Sequence, residues 1–381
     1  MNITFLIGNG FDIAAKIDTS YGAFYNWYCK RRSKDEHINK FRREINDDVK
    51  NGGKNWSDLE IGLGQYTRNF TVDNASEFIE CYEDVHEMII KYIEEQKSQF
   101  NLEQIPESEI TSFKDGLLNF YQDLSPQERR IFSEIIDVDK GNDTRINFLS
   151  FNYTNTLDIV VDKISNSPIK QWTKQGSVRK TSVNKSIVHM HGTSTEYPVL
   201  GVDNSSQIAN QDLLSIPNFS EIMIKPQSVN AIGELWHNEA KNIILQSRII
   251  AIFGMSLGES DASWWNTILQ WLKADSSRHL IIYWYTDNPP NGISIFRKLE
   301  ETKKAKDKLF SFLPLTNEEL NVINPRVHIA INTTKVLNIH LPKAEEKQQS
   351  DEVIAFDGGR IMPEPNSFEA YDGVGKEIIV V

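Results

Sequence analysis

Ile3-Thr4-Phe5-Leu6-Ile7-Gly8-Asn9-Gly10-Phe11-Asp12 decides how the rest of the chain is read. Its first five residues form a short apolar run, ended by two glycines around an asparagine. Such a run reads as a buried strand entering a tight turn. A strand apolar on both faces fits the middle of a parallel sheet covered by helices. Glycines at that place let backbone approach a phosphate, and a following helix N-terminus favours an anion. Ile13 stands where the dinucleotide fingerprint has its third glycine. The plainer alternative is an ordinary strand-to-helix turn.

Further along, apolar strands alternate with helical patterns. Strands are expected at 145–151, 187–191, 198–202, 248–253 and 279–285, and helices at 155–164, 231–245, 261–272 and 294–312. Residues 327–331 and 335–339 read as a hairpin around Asn332-Thr333-Thr334. The alternation predicts an α/β fold, a mostly parallel sheet flanked by helices. The stretch 21–138 has a different character, with helices expected at 21–32, 34–50, 57–69, 76–96, 107–124 and 126–136. Phe78, Cys81, Tyr82, Val85, Met88, Ile89, Tyr92 and Ile93 make one apolar helical stripe. The expected organisation is therefore an α/β domain from 1–20 and 139–340, a large helical insertion over 21–138 after the first strand, and a charged, partly disordered tail over 341–381.

Composition narrows the function. The 381 residues are 39% hydrophobic and 10% aromatic, enough for a real core. Forty-one Lys and Arg against 53 Asp and Glu leave a net charge of -12, which argues against broad nucleic-acid binding. Cys29 and Cys81 sit among apolar residues and read as buried free thiols. Two cysteines cannot build a four-cysteine zinc site. No signal peptide is visible, and no run approaches the roughly 20 apolar residues of a membrane span. The chain reads as cytoplasmic, without a membrane partner.

In parallel α/β sheets, ligands bind at the carboxyl ends of the strands. Gly8-Asn9-Gly10, Asn152, His191 and Gly254-Met255-Ser256 each fall at the end of an expected strand. Asn152 both donates and accepts hydrogen bonds, which suits a ribose hydroxyl or a water. Thr154 and Asn155 can cap the next helix. His191 at a strand end is the candidate general base. His189 reads as structural, and without a third ligand nearby no metal is expected. Gly254-Met255-Ser256-Leu257-Gly258 matches a serine nucleophile elbow, with Asp287 and then His328 or His340 completing the Ser–Asp–His order. The competing reading is a phosphate- or ribose-binding turn with Ser256 and Asp261 as hydrogen-bonding groups; it gives the other strand-end residues a role, and the hydrolase reading does not. Glu60 faces the site from the insertion or, as the preferred reading, caps a helix. Trp264-Trp265 reads as core.

These pieces together resemble the abortive-infection AbiH family of phage defence. The resemblance rests on Leu6-Ile7-Gly8-Asn9-Gly10-Phe11-Asp12, Thr19-Ser20-Tyr21 with Phe24, Trp56 with Leu59-Glu60, and Ser150-Phe151-Asn152-Tyr153-Thr154. It continues through His189-Met190-His191-Gly192, Leu200-Gly201-Val202-Asp203 and Phe253-Gly254-Met255-Ser256-Leu257-Gly258 with Asp261. That family in turn is similar to sirtuin-like, Rossmann-like domains that bind NAD. The similarity implies that Gly8 and Gly10 approach the pyrophosphate, that Asn152 and His191 meet the nicotinamide ribose, and that Gly254 and Ser256 hold the adenosine side. Asn9, Asp12, Thr154 and Asp261 complete the implied nucleotide site. Thr154 stands where the sirtuin pattern has aspartate, and the zinc-module cysteines are missing, which argues against deacetylation. The implied function is antiphage hydrolysis of NAD to nicotinamide and ADP-ribose. The alternatives are a nucleotide-sensing module without turnover, an RNA-directed nuclease and a serine hydrolase using Ser256. A phage-derived or protein activator, or a homo-oligomeric switch, is implied as the trigger.

Overall fold

The computed structural model describes residues 1–52, 56–138, 142–164, 166–174, 176–233, 235–290 and 294–344, together with 369–371 and 377–379. Strand β1, Asn2–Ile7, lies mid-sheet because its side chains are buried on both sides. Ile3, Phe5 and Ile7 point into one hydrophobic core and Leu6 into another. Thr4, the polar exception, is buried with its hydroxyl 2.6 Å from that of Ser247. The same alternation recurs in β2 (Thr144–Ser150), where Ile146 and Phe148 face the first core and Leu149 the second.

After β2 come β3 (Lys170–Lys174), β4 (Ser177–Val183) and the two-residue β5 (Val188–His189). Then follow β6 (Ile249–Phe253), β7 (His279–Trp284) and β8 (Val327–Ile331). The sheet order is β3-β4-β2-β1-β6-β7-β8, with β5 pairing to β2 beyond β4. Every pairing in this sheet is parallel except β3 with β4. The protein is thus mixed α/β with a mostly parallel sheet flanked by helices. The chain leaves β1 toward β2 on one side and returns as β6 on the other. That reversal opens a crevice at the carboxyl end of β1.

Three helix groups use the three main cores. Helices α1 (Gly10–Ala14), α2 (Tyr21–Tyr28), α3 (Glu36–Lys50), α4 (Leu59–Tyr66), α5 (Ala75–Lys97), α6 (Glu107–Leu118) and α7 (Pro126–Val138) lie between β1 and β2. Helix α8 is Thr156–Lys163. The short α9 (Phe219–Met223) and α10 (Lys225–Ala231) precede α11 (Trp236–Gln246), α12 (Ala262–Ala274), α13 (Ile295–Phe310) and α14 (Asn317–Ile323). One sheet face is covered by α1, α6, α7 and α8 through Phe11, Phe113, Phe132 and Val160. The other is covered by α11 to α14 through Ile244, Trp265, Leu309 and Ile323. Helices α2 to α5 build a separate aromatic core with residues 200–224, including Phe24, Phe41, Phe78 and Phe219.

The stretch 21–138 therefore divides between two cores. Its first part makes the aromatic lobe, and its last two helices belong to the sheet. The hairpin expected at 327–339 does not form: Val327–Ile331 is a parallel strand, and Val336, Leu337 and Ile339 instead cap the first core from an irregular segment. An apolar alternation marks burial on one side, and it does not require a ladder partner. Residues 198–202 are likewise irregular, joined to Ile224 by one bridge at Val202. The antiparallel β3–β4 pair was not expected, because its Lys- and Thr-rich sequence carries no apolar run. Of the tail expected from residue 341, most lies outside the described residues; Glu369–Tyr371 and Glu377–Ile379 pair antiparallel.

Phe113 on α6 is fully buried in the first core, so Phe113→Ala is expected to cost about 3–5 kcal/mol by lost burial and a cavity. The urea midpoint of the sheet's own unfolding signal is the measurement. An unchanged midpoint would mean that α6 belongs to a separable insertion.

Candidate functional site

A cleft of about 970 Å³ opens at the carboxyl ends of β1, β2 and β6, at the upper end of the ~300–1,000 Å³ usual for small-molecule sites. Gly8, Asn9, Gly10, Asp12, Asn152, Thr154, His191, Gly254, Ser256 and Asp261 all line it. Residues separated by more than two hundred positions in sequence meet there because each follows a strand of one sheet.

The glycine turn is explained by packing. The Gly8 amide donates to Phe253 O at 2.9 Å and the Gly10 amide to Gly254 O at 2.8 Å. These two N–H groups are spent on the end of β6 and the turn that follows it. A methyl on Gly10 would stand 2.5 Å from Gly254 Cα, and one on Gly8 2.6 Å from Gly254 O. Gly254 itself has φ +69°, a left-handed conformation that costs L-residues with a Cβ. Helix α1 is five residues long and ends at Ala14. Asn9 ties down the next loop: its Nδ2 donates to Thr19 O at 2.9 Å and its Oδ1 accepts from the Thr19 hydroxyl.

Beneath the turn, Asp12 is fully buried. Its Oδ2 accepts from Thr154 Oγ1 at 2.7 Å and from Asn152 Nδ2 at 3.3 Å. Burial pushes the Asp12 carboxyl up to about 6, against the opposing pull of Thr154, Thr156 and Lys97. With Nδ2 committed to Asp12, Asn152 presents Oδ1 as its remaining polar atom. That atom is buried and has no hydrogen-bond partner among the described residues.

The other wall is charged. His191 Nε2 lies 3.0 Å from Asp261 Oδ1, at ion-pair distance though outside hydrogen-bond alignment. Lys225 Nζ donates to the same Asp261 oxygen at 2.7 Å and to Glu60 Oε2 at 2.8 Å. Glu60 Oε1 accepts from the Gly201 amide at 3.4 Å. Burial alone would raise the Asp261 carboxyl; Lys225 and His191 override it and hold it well below the carboxylate range. Burial raises Glu60, and Lys225 offsets this only in part, since one ammonium serves two carboxylates. Phe151 meets the His191 ring edge-on at 5.3 Å and Tyr153 lies 6.3 Å away.

Glu60 is therefore not the helix cap: Asp58 caps α4, accepting from the Glu60 and Ile61 amides at 3.0 and 3.2 Å. Lys225 was not anticipated, since a single lysine before Pro226 carries no signal in sequence. Asp261, expected as a hydrogen-bonding group of a phosphate- or ribose-binding turn, lines the cleft and meets Lys225 and His191. His189 holds Asp158 at 3.1 Å, away from the cleft lining. Trp265 packs in the core with its Nε1 donating to Gly258 O at 2.8 Å.

The serine triad does not assemble. His328 is buried near the start of β8, between His279 and Glu128, each at 3.1 Å. That is the opposite edge of the sheet from Ser256, which follows the end of β6. His340 contacts Glu109, and Asp287 accepts from Tyr285.

A model of the family described as bacteriophage abortive infection AbiH matches residues 4–283. The chain belongs to that family. A role in phage abortive infection comes with this membership. The match runs from β1 into β7 and so takes in every loop that supplies Asp12, Glu60, Asn152, His191, Lys225 and Asp261. No curated protein matches this AbiH-family chain. Among the described residues, no helix is long and apolar enough to cross a membrane.

Two outcomes follow for this AbiH-family chain. Gly10→Ala is expected to cost about 1–3 kcal/mol by overpacking, while Gly22→Ala, whose Cβ meets nothing within 4 Å, is expected to be neutral or slightly stabilising. Equal urea midpoints for the two variants would remove the loop-packing account. For Asp12, a folded-state pKa above the ordinary value means that ionisation costs stability as pH rises from about 4 through about 6. Asp12→Asn should gain on wild type by up to about 3 kcal/mol at pH 7.5, with the gap closing toward pH 4. A difference in Tm that stays constant with pH would contradict this.

Proposed function

We propose that the cleft binds NAD on a sirtuin-like, Rossmann-like α/β domain and hydrolyses its nicotinamide–ribose bond. The observation that carries this reading is the buried, unpartnered Oδ1 of Asn152 on the cleft wall, with His191 lining the same cleft. A buried polar atom without a partner is costly, and a ligand donor would satisfy it. A ribose hydroxyl is such a donor. Asp12 and Thr154 set the direction of the Asn152 amide from below.

Cleavage passes through an oxocarbenium-like transition state, as in glycoside hydrolysis. The bond between ribose C1′ and the pyridinium nitrogen breaks, and its electron pair returns to the ring. Nicotinamide leaves as a neutral base, so no general acid is needed. Asn152 orients the ribose and the attacking water through Oδ1. Water oxygen bonds to C1′, and His191 accepts the water's proton and returns it to solvent. Gly254 and Ser256 lie on the adenosine side of the cleft in this reading, with exposed Ser256 free to hydrogen-bond. The same reading takes the chain as cytoplasmic and requires a trigger, either a phage-derived or protein activator or the assembly of several copies.

Purified protein incubated with NAD, with a phage lysate supplied as the source of the trigger, is expected to release nicotinamide and ADP-ribose, resolved by chromatography. Asn152→Ala and His191→Ala are each expected to lower turnover at least a hundredfold while keeping the wild-type circular dichroism spectrum. Turnover retained in both variants would remove the assignment. Binding of NAD without release, in the presence of a phage lysate as well as without it, would turn the reading to a nucleotide sensor.

A further inference from the structure

The ion cluster behind His191 is more than the cleft needs for binding. Lys225, Glu60, His191 and Asp261 come from four different segments: α10, α4, the loop after β5, and the turn before α12. Their side chains are 4%, 5%, 6% and 13% exposed. A buried ion cluster costs desolvation, and replacing it by apolar residues is often neutral or stabilising. Stability alone therefore does not account for it.

We propose that Asp261 is the positioning residue of His191, with Lys225 and Glu60 holding its carboxylate in place. The proposal rests on the reading of His191 as the base of NAD hydrolysis. The carboxylate 3.0 Å from Nε2, though out of hydrogen-bond alignment, favours through its charge the tautomer protonated at Nε2, which leaves the Nδ1 lone pair to accept the proton of water. Accepting that proton makes an imidazolium. Glu60, Lys225 and Asp261 together carry two negative charges and one positive, so the new positive charge on the ring completes a neutral cluster. In a site sheltered from water such prearranged charge acts without reorganisation. Lys225 keeps Asp261 ionised, and Glu60 anchors Lys225 from the helical lobe.

Among the described residues, the other titratable groups facing this cluster are Asp58 before α4, Tyr21 on α2, Tyr82 on α5, Tyr153 after β2 and His237 on α11; burial raises the Tyr21 and Tyr82 hydroxyls, which stay neutral. Burial lowers His237 to about 4 and raises Tyr153 well above its ordinary value, so both are neutral at working pH. Asp58 is occupied as the α4 cap and by the Ser260 hydroxyl at 2.9 Å.

The test is Asp261→Asn, with two readouts. In NAD turnover, kcat should fall about 10²–10⁴-fold with KM changed less than about threefold, because the ring is no longer held in the tautomer that accepts the proton. In 1H–15N spectra, the His191 ring, assigned by its loss in His191→Ala, should show the tautomer protonated at Nε2 in wild type and lose that preference in Asp261→Asn. If wild type releases no nicotinamide even with phage lysate present, the NAD reading fails while the spectra still decide the positioning role. If wild type is active, His191→Ala is inactive, and Asp261→Asn keeps kcat and the His191 tautomer, the positioning role alone is overturned. Should Asp261→Asn not fold, Glu60→Gln gives the same readouts with a smaller loss of kcat and of the His191 tautomer preference, and no change in either overturns the proposal.

Discussion

Everything at the cleft depends on how closely two turns approach. The turn after β1 and the turn after β6 touch through Gly8, Gly10 and Gly254, with two backbone hydrogen bonds between them. No other residue leaves that gap open. Because these strands are neighbours in the sheet, the contact fixes the floor of the crevice. Asp12 is then carried beneath it, within reach of Thr154 and Asn152 from the next strand. A backbone requirement thereby sets the direction of a side-chain amide.

The second constraint is electrostatic. The aromatic lobe of α2 to α5 has its own core, yet Glu60 on α4 pairs with Lys225 and, through it, meets Asp261. Tyr82 adds a hydrogen bond from α5 to Leu200 O at 2.8 Å. The lobe is thus tied to the same segments that place His191. Disturbing Glu60 would leave Lys225 with one carboxylate partner, and a buried unbalanced charge is far more costly than an exposed one. This is the physical reason to expect the lobe and the cleft to respond together.

The sheet was legible because its inner strands are buried on both faces. Runs such as 3–7, 249–253 and 279–284 are apolar but for Thr4 and His279. The strand-end residues were legible for the same reason, since a polar group directly after such a run stands at the sheet's edge. The β3–β4 pair lacks this signature and passed unrecognised among Lys, Thr and Ser. The alternation at 335–339 misled in the opposite way, because Val336, Leu337 and Ile339 bury against α6 and the sheet without a ladder.

The sequence by itself determined the alternating α/β plan, the place of Gly8-Asn9-Gly10, Asn152, His191 and Gly254, and the family. Local pattern suffices for these, since each is written in consecutive residues. Only the tertiary structure decided what the polar groups do to one another. It spent the Gly8 and Gly10 amides on a neighbouring loop, placed His328 out of reach of Ser256, and brought Lys225 between Glu60 and Asp261. The two pairings of Lys225 alone join residues 36 and 165 positions apart in the chain. No periodicity encodes them, because they follow from which strand ends the sheet order places side by side.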